Sequence, residues 1–433
     1  MAMSLGFHII FAVVGIGLPL LMVMAEWRWM RTGDAIYLDL AKRWSKGAAI
    51  LFAVGAVSGT VLSFELGLLW PKFMQFAGPI IGMPFSLEGF AFFTEAIFLG
   101  IYLYGWDRVS KGAHLFSGIV VALSGALSGI FVVIANAWMN SPVGFEVVDG
   151  KVLNVQPFGA MTSQAAFSQT LHMTLAAYAA TGLGVAGIHA ILILRGNTAA
   201  FHRRALAIAL AVGAPAALVQ PISGDISARY VAAAQPAKLA AMESHFETGR
   251  GVPLHIGGWP DVDRRETRWA IKIPRGLSLL AFHDPNAEVI GLADFPREDW
   301  PPVAIVHIAF QIMVALGTYL ALVSAWALFR AWRSRATGGL TNDRWLLRAL
   351  ALATPMGFLA IEAGWTVTEV GRQPWVVYGF FRTADAVTPM PGLIVPFLLF
   401  TALYVLLGVI VLYMLRQHIA RAPSENIAGE TRS

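Results

Sequence analysis

The sequence sets side chains that can ligate a metal or move a proton inside stretches that are otherwise apolar. His8 lies in SLGFHIIFAVVG, His172 in SQTLHMTLAAY, Met313 in AFQIMVALG and Glu369 in EAGWTVTEVGRQPW. His and Met are axial haem ligands: a His/Met pair gives six-coordinate low-spin iron, whereas a single His or an anionic ligand leaves a position open for a gas. Each also has a plainer reading. A lone His on an apolar helix serves as a hydrogen-bonded packing residue, and a Met fills gaps between helices.

Carboxylates add a second theme, because an acid at membrane depth is costly and needs a partner or a task. Glu88 and Glu95, in SLEGFAFFTEAIFLGIYLYGWDR, are spaced to share one helix face. Such a pair suits proton relay away from bulk water, or it stands as two protonated acids buried structurally. Glu362, Trp365, Glu369 and Arg372 describe another single face, so Arg372 can pair with Glu369 or with an outside carboxylate such as a haem propionate. A purely structural Arg–Glu clamp is the alternative. Lys238 and Glu243, in AKLAAMESHFETGRG, read by themselves as solvated charges.

These residues need elements that hold them at depth. The chain has 433 residues, 57% hydrophobic and 13% charged, far from the soluble balance and expected of an integral membrane protein. A net charge of +5, scattered, offers no nucleic-acid face. The absence of Cys excludes disulfides, iron–sulfur clusters and covalently attached c-type haem, so any metal rests on His, Met or carboxylate.

Apolar runs of about 20 residues, enough to span a bilayer, fall at roughly 4–26, 47–69, 86–105, 114–138, 166–194, 204–222, 303–329, 346–368 and 391–415. The first lacks a basic leader and cleavage site and reads as a retained helix. Basic residues gather in alternate connections: Arg28, Arg31, Lys42, Arg43 and Lys46; Arg108 and Lys111; Arg195, Arg203 and Arg204; Arg330, Arg333, Arg335 and Arg344. The positive-inside rule turns these, with Arg416 and Arg421, to the cytoplasm and sets the N-terminus outside. The expected architecture is therefore an all-α bundle of nine transmembrane helices. Helices one to six occupy 1–222, a folded outer loop 223–302, helices seven to nine 303–416 and a cytoplasmic tail 417–433. Within the loop, residues 237–251 read as a short helix ended by Gly249. This topology puts His8, His172, Met313 and Glu369 together in the outer half of the membrane.

Several segments, in register with the nine helices, resemble subunit I of the cytochrome bd-type quinol oxidases. They are LEG...TEAIF...GWDR in helix three, VIANAWMNSP closing helix four, KLAAMES in the outer loop, and EAGW followed by VGRQPW. The likeness runs from His8 to about Arg416. It implies that His172 and Met313 hold a low-spin haem b near the quinol site. His8 and Glu369 would hold the two high-spin haems, one haem b and the other haem d or a third haem b. Glu88 would lie beside the oxygen-reducing haem, with Glu95, Ser128 and Asp107 on a proton route from the cytoplasm. Trp365 matches an aromatic between haems, Arg372 a partner for haem charge, and Lys238 and Glu243 quinol-loop residues.

The outer loop is of the short type, and Gln311, two residues before Met313, resembles the cyanide-insensitive branch. Family members carry a further stretch ahead of MAMSLGFH, so a longer natural N-terminus is an expectation. The resemblance implies ubiquinol or menaquinol and O2 as substrates, a second membrane subunit (subunit II), a small single-helix subunit as a further candidate, and the bacterial inner membrane as location. Three other readings stay beside it. A haem–copper oxidase lacks support because no adjacent His-His pair is present. A secondary transporter would show broken helices and an internal repeat. A haem-bearing quinol-linked electron carrier that does not reduce O2 shares the ligand pattern.

Overall fold

The computed structural model describes residues 1–333 and 340–420; Arg335, Arg421 and the tail beyond residue 420 lie outside the described residues. Among these, nine helices are long and apolar enough to cross a membrane. They are α1 (Ala2–Thr32), α2 (Ala35–Leu69), α3 (Pro71–Tyr104), α4 (Lys111–Asn140), α5 (Gln164–Leu194), α6 (Ala200–Ala234), α7 (Val303–Arg333), α8 (Arg344–Val370) and α9 (Ile394–Ala420).

Most begin earlier or end later than the apolar runs, because backbone hydrogen bonding continues where the side chains turn polar. At the start of α2, the Asp34 side chain accepts from Ile36 N, well ahead of the apolar stretch. Pro71 opens α3, where its missing N–H costs nothing. Beyond residue 222, α6 runs on to Ala234 through an Arg229–Asp225 pair at 2.8 Å. The outer segment thus starts about a dozen residues later than hydropathy alone places it, a shift expected when polar turns extend an apolar helix.

Successive helices run antiparallel, which gives the bundle a basic end and a loop end. At the basic end, Ser110 and Asp343 cap α4 and α8, Arg330 pairs with Asp343 at 3.0 Å, and Arg204 pairs with Asp34. The loop end carries residues 235–302 and the shorter connections 141–163 and 371–393. Its strands form five two-stranded antiparallel pairs outside the spanning helices.

The 235–302 segment is folded onto α7. Gln311 accepts from Gly257 N and donates to His255 O, while buried His307 lies 2.8 Å from Met242 O. The short helix expected over 237–251 spans Pro236–Glu243 and stops at Ser244, whose φ of 52° places it in the left-handed region. Gly249 instead opens a strand pair, Gly249–Arg250 with Glu288–Val289.

Packing inside the bundle depends on small residues, since lipid tails give helices no hydrophobic reason to associate. A Cβ on Gly182 of α5 would stand 2.5 Å from Gly213 Cα of α6, and one on Gly357 of α8 2.5 Å from Ala180 Cα. These approaches draw α5, α6 and α8 around the core of Leu183, Leu206, Leu346 and Leu350. Gly182→Val is expected to lower stability by about 2 kcal/mol through overpacking. Thermal denaturation in detergent checks this, and an unchanged midpoint contradicts it.

Candidate functional site

The loop-end turn of α8 carries the best-connected polar group. Arg372, 2% exposed, donates from Nη2 to Glu369 Oε2 at 2.6 Å. The other Glu369 oxygen accepts from Asn136 of α4. Asn140, one turn on, donates to Asn136 O at 3.0 Å, while its own carbonyl accepts from Gln235 Nε2 at 2.7 Å. Lys238 Nζ completes the network, donating to Thr368 O at 3.2 Å and to Asn140 Oδ1 at 3.4 Å. The side chains tie α4, α8 and the outer segment together. Arg372 Nε and Nη1 remain buried without hydrogen-bond partners.

Glu362 and Trp365, on the same face of α8, meet Gly6 of α1, while His8 of α1 turns toward α2. A Cβ on Gly6 would lie 3.3 Å from Glu362 Oε2 and 3.9 Å from the Trp365 ring, and Glu362 Oε1 is buried and unpartnered. His8 Nδ1 lies 2.9 Å from Ser58 Oγ on α2. Across the bundle, His172 Nδ1 lies 2.9 Å from Ser223 Oγ on α6, with Gln220 Nε2 3.2 Å from its Nε2.

Each of three candidate ligands abuts a glycine of a neighbouring helix. Built Cβ atoms would fall 3.1 Å from His8 Cε1 at Gly59, 3.6 Å from His172 Cε1 at Gly224 and 2.9 Å from Met313 Sδ at Gly364. Side chains at Gly59 and Gly364 would press on the His8 ring and the Met313 sulfur, whereas one at Gly224 would only touch the His172 ring at ordinary contact distance. The Ser hydroxyls hold both imidazoles through Nδ1, the role an outer partner plays when Nε2 is the metal ligand; for His172 that would require Gln220 to give up its contact with Nε2.

On α3, Glu88 is half-buried and makes no hydrogen bond or ion pair with described residues, while Glu95 is 6% exposed. The Glu95 carboxylate lies at Gly125 of α4, and half-buried Ser128 follows one turn on. Beside Glu95 is a cavity of about 10 Å³, room for roughly one water. Asp107 stands apart, exposed in the turn after α3 at the basic end.

In the outer segment, Lys238 and Glu243 are buried rather than solvated, at 5% and 4% exposure. Burial, with the Arg372 guanidinium and against the pull of Glu369, brings the Lys238 ammonium down to about 7. Burial pushes the Glu243 carboxyl up to about 8, and its Oε2 has no partner. His255, whose Nδ1 lies 3.3 Å from Glu243 O, is held below its ordinary value mainly by burial.

The structure therefore joins Glu369, Arg372 and Lys238 in one network, sets Glu362 and Trp365 against α1, and leaves Asp107 remote from Glu95. Asn136, Asn140 and Gln235 did not stand out from sequence. The signal was two amides four apart, inside VIANAWMNSP, near the end of an apolar helix.

The side chains fit haem. Among the described residues no three His, Cys, Asp or Glu side chains converge as a metal cluster. A porphyrin brings four nitrogens of its own, so the single donors found here suffice for its iron. Its carboxylates need cationic donors, which the two unpartnered nitrogens of buried Arg372, Nε and Nη1, could supply.

The profile of the family described as cytochrome bd terminal oxidase subunit I matches residues 1–423. The putative cytochrome bd menaquinol oxidase subunit I of Bacillus subtilis (strain 168) is 38% identical over 427 residues, covering 97% of this chain and 95% of that protein. Its cytochrome bd ubiquinol oxidase subunit 1 is 31% identical, covering 96% and 91%. A solved bd oxidase from Geobacillus thermodenitrificans superimposes with a TM-score of 0.91 at 38% identity, covering 98% of this chain and 97% of that one.

Arg372→Met strands the partly buried Glu369 carboxylate and is expected to cost on the order of 3 kcal/mol, read as a lower thermal midpoint. Adding Glu369→Gln should recover part of the loss, because an amide needs no counter-ion. A double variant no more stable than Arg372→Met contradicts the pairing.

Proposed function

This chain belongs to the cytochrome bd terminal oxidase subunit I family, and from that membership we propose how its own residues serve a haem-bearing, membrane-embedded quinol oxidase. Membership sets aside the transporter and haem–copper readings. The basic end faces the cytoplasm and the loop end the outside, supported by the Arg and Lys of the alternate connections.

Haem, when bound, supplies the redox iron and the place where O2 is reduced to water. His172 and Met313 would hold the low-spin haem b, and His8 and Glu369 the two high-spin haems, one haem b and the other haem d or a further haem b. The observation that carries this reading is Arg372: a buried cation, paired to Glu369 on one side and with two free donors on the other. Arg372 would offset the anionic ligand and a haem carboxylate together. Trp365, set against Gly6 of α1, would be the aromatic between haems.

Quinol, ubiquinol or menaquinol, is bound at the outer segment near Lys238 and Glu243. Glu243 takes the proton that quinol loses and passes it to the outside. To accept it the carboxyl must be ionised, which burial delays until about pH 8. Lys238, shifted to about 7 and tied to Thr368 O, links the quinol region to the α8 network. Protons that complete water come from the cytoplasm by Asp107, Glu95, Ser128 and Glu88. Releasing protons outside and consuming them inside builds a proton-motive force without pumping. A second membrane subunit, subunit II, completes the enzyme, with a small single-helix subunit as a further member.

Met313→Leu keeps the volume of the side chain and removes its sulfur. The low-spin signal in the reduced spectrum is expected to vanish while the other haems persist, and an intact low-spin signal rejects the assignment. For Glu243, kcat/KM for quinol is expected to climb with pH and level off above about 8, since only the ionised carboxyl accepts a proton. Glu243→Gln should flatten that rise and lower the plateau; an unchanged profile removes Glu243 from proton transfer.

A further inference from the structure

The route from the cytoplasm has a gap: Asp107 is exposed in a turn, whereas Glu95 lies nine residues inside the end of α3, about 13 Å along the axis. Between them lies a buried polar cluster that the proposed route leaves unused. His114, in the first turn of α4, places Nδ1 2.8 Å from Glu26 Oε1 of α1 and Nε2 2.9 Å from Tyr102 O. Glu26 and Tyr102 are fully buried and His114 is 2% exposed. Glu26 Oε2 and the hydroxyl of Tyr102 are both buried with no other partner, and the two groups are near enough to interact with each other.

Three further features aim this cluster at Glu95. Glu88, Glu95 and Tyr102 recur every seven residues and so share one face of α3. The water-sized cavity beside Glu95 is also lined by Leu99 and Val121, which lie between the levels of Glu95 and Tyr102, and by Gly15 and Pro19 of α1. Pro19 has no N–H, so the Gly15 carbonyl loses its helical donor. That carbonyl points at Gly125, the same glycine the Glu95 carboxylate abuts. A second acceptor thus stands at the cavity, where one water can bridge it to Glu95.

The cluster also lies close to the aqueous basic end. Trp106 covers the His114 ring at 3.9 Å between centroids, and Lys42 Nζ stands 5.2 Å over Trp106. Lys111 stands over Trp29 at this end, and Ser110 caps α4 one turn before His114.

We propose that Glu26, His114 and Tyr102 form the proton-loading site of this subunit, passing protons to Glu95 through a water in the Pro19 cavity. The inference rests on the cytoplasmic proton route proposed above. A proton from cytoplasmic water is taken up by the Glu26–His114 pair. It moves onto the Tyr102 oxygen as the Tyr102 hydroxyl proton passes to the cavity water, and that water gives a proton to the Glu95 carboxylate. Tyr102 and the water end unchanged, and one proton has moved inward without any change of oxidation state.

The test uses the assembled oxidase in proteoliposomes. Turnover with quinol, proton uptake read by an internal pH dye and the haem spectrum are measured for Glu26→Gln, Tyr102→Phe and Glu95→Gln. Glu26→Gln and Tyr102→Phe are each expected to slow turnover and proton uptake about tenfold, with an enlarged solvent deuterium effect and unaltered haem spectra. Tyr102→Phe removes one oxygen from a ring seated against Gly118, so it decides the matter if Glu26→Gln fails to assemble. Full-rate proton uptake in Tyr102→Phe, with Glu95→Gln slow, overturns this loading site and leaves the Glu95 route standing. Full rates in Glu95→Gln as well would overturn the cytoplasmic route itself. A loss of haem that matches the loss of rate would assign the cluster to structure and overturn the proposal.

Discussion

A guanidinium removed from water must meet its counter-charge inside the protein, and the loop end of this bundle is arranged around that requirement. Arg372 is almost wholly buried, yet only one of its nitrogens is engaged, by Glu369. The Glu369 carboxylate is in turn held by Asn136, which positions Asn140, Gln235 and Lys238. Through that chain of partners the end of α8, the end of α4 and the start of the outer segment adopt one relative placement. Two buried nitrogens of Arg372 are left without partners in that fixed placement, the kind of preorganised donor that favours an anion.

A different constraint shapes the space for cofactors. Helices in a bilayer associate by close packing, and glycine permits the closest approach. In this bundle glycines have two uses. Gly182, Gly213 and Gly357 bring backbones together in the core, whereas Gly59, Gly224 and Gly364 lie against the imidazoles of His8 and His172 and the sulfur of Met313. The second group keeps a neighbouring Cβ off the His8 ring and the Met313 sulfur while the helices stay in contact. Hydroxyls of Ser58 and Ser223 add direction to rings that the glycines leave room for.

The nine spans were legible from hydropathy because a bilayer demands long apolar helices, and their order is the order of the sequence. Their ends were not: α2, α3 and α6 continue through polar turns whose hydrogen bonds hydropathy does not register. His8, His172, Met313 and Glu369 were visible as chemical side chains in apolar settings, and Arg372 beside Glu369 as a face. Lys238 and Glu243 looked solvated, because nothing local foretells that their helix is covered by α7 and α8. Glu26 and His114, 88 positions apart, meet only when α1 and α4 pack, so their pairing belongs to tertiary structure alone. The small cavity that Pro19 helps to line was likewise a product of packing that composition does not reveal.

His8, His172, Met313 and Glu369 are proposed to hold haem for a quinol oxidase. A reduced-minus-oxidised absorption spectrum of the purified, assembled protein, with pyridine haemochrome quantitation, tests it directly. Three haems per chain, two of type b and a third of type d or b, are predicted. Assembled protein without haem would contradict it.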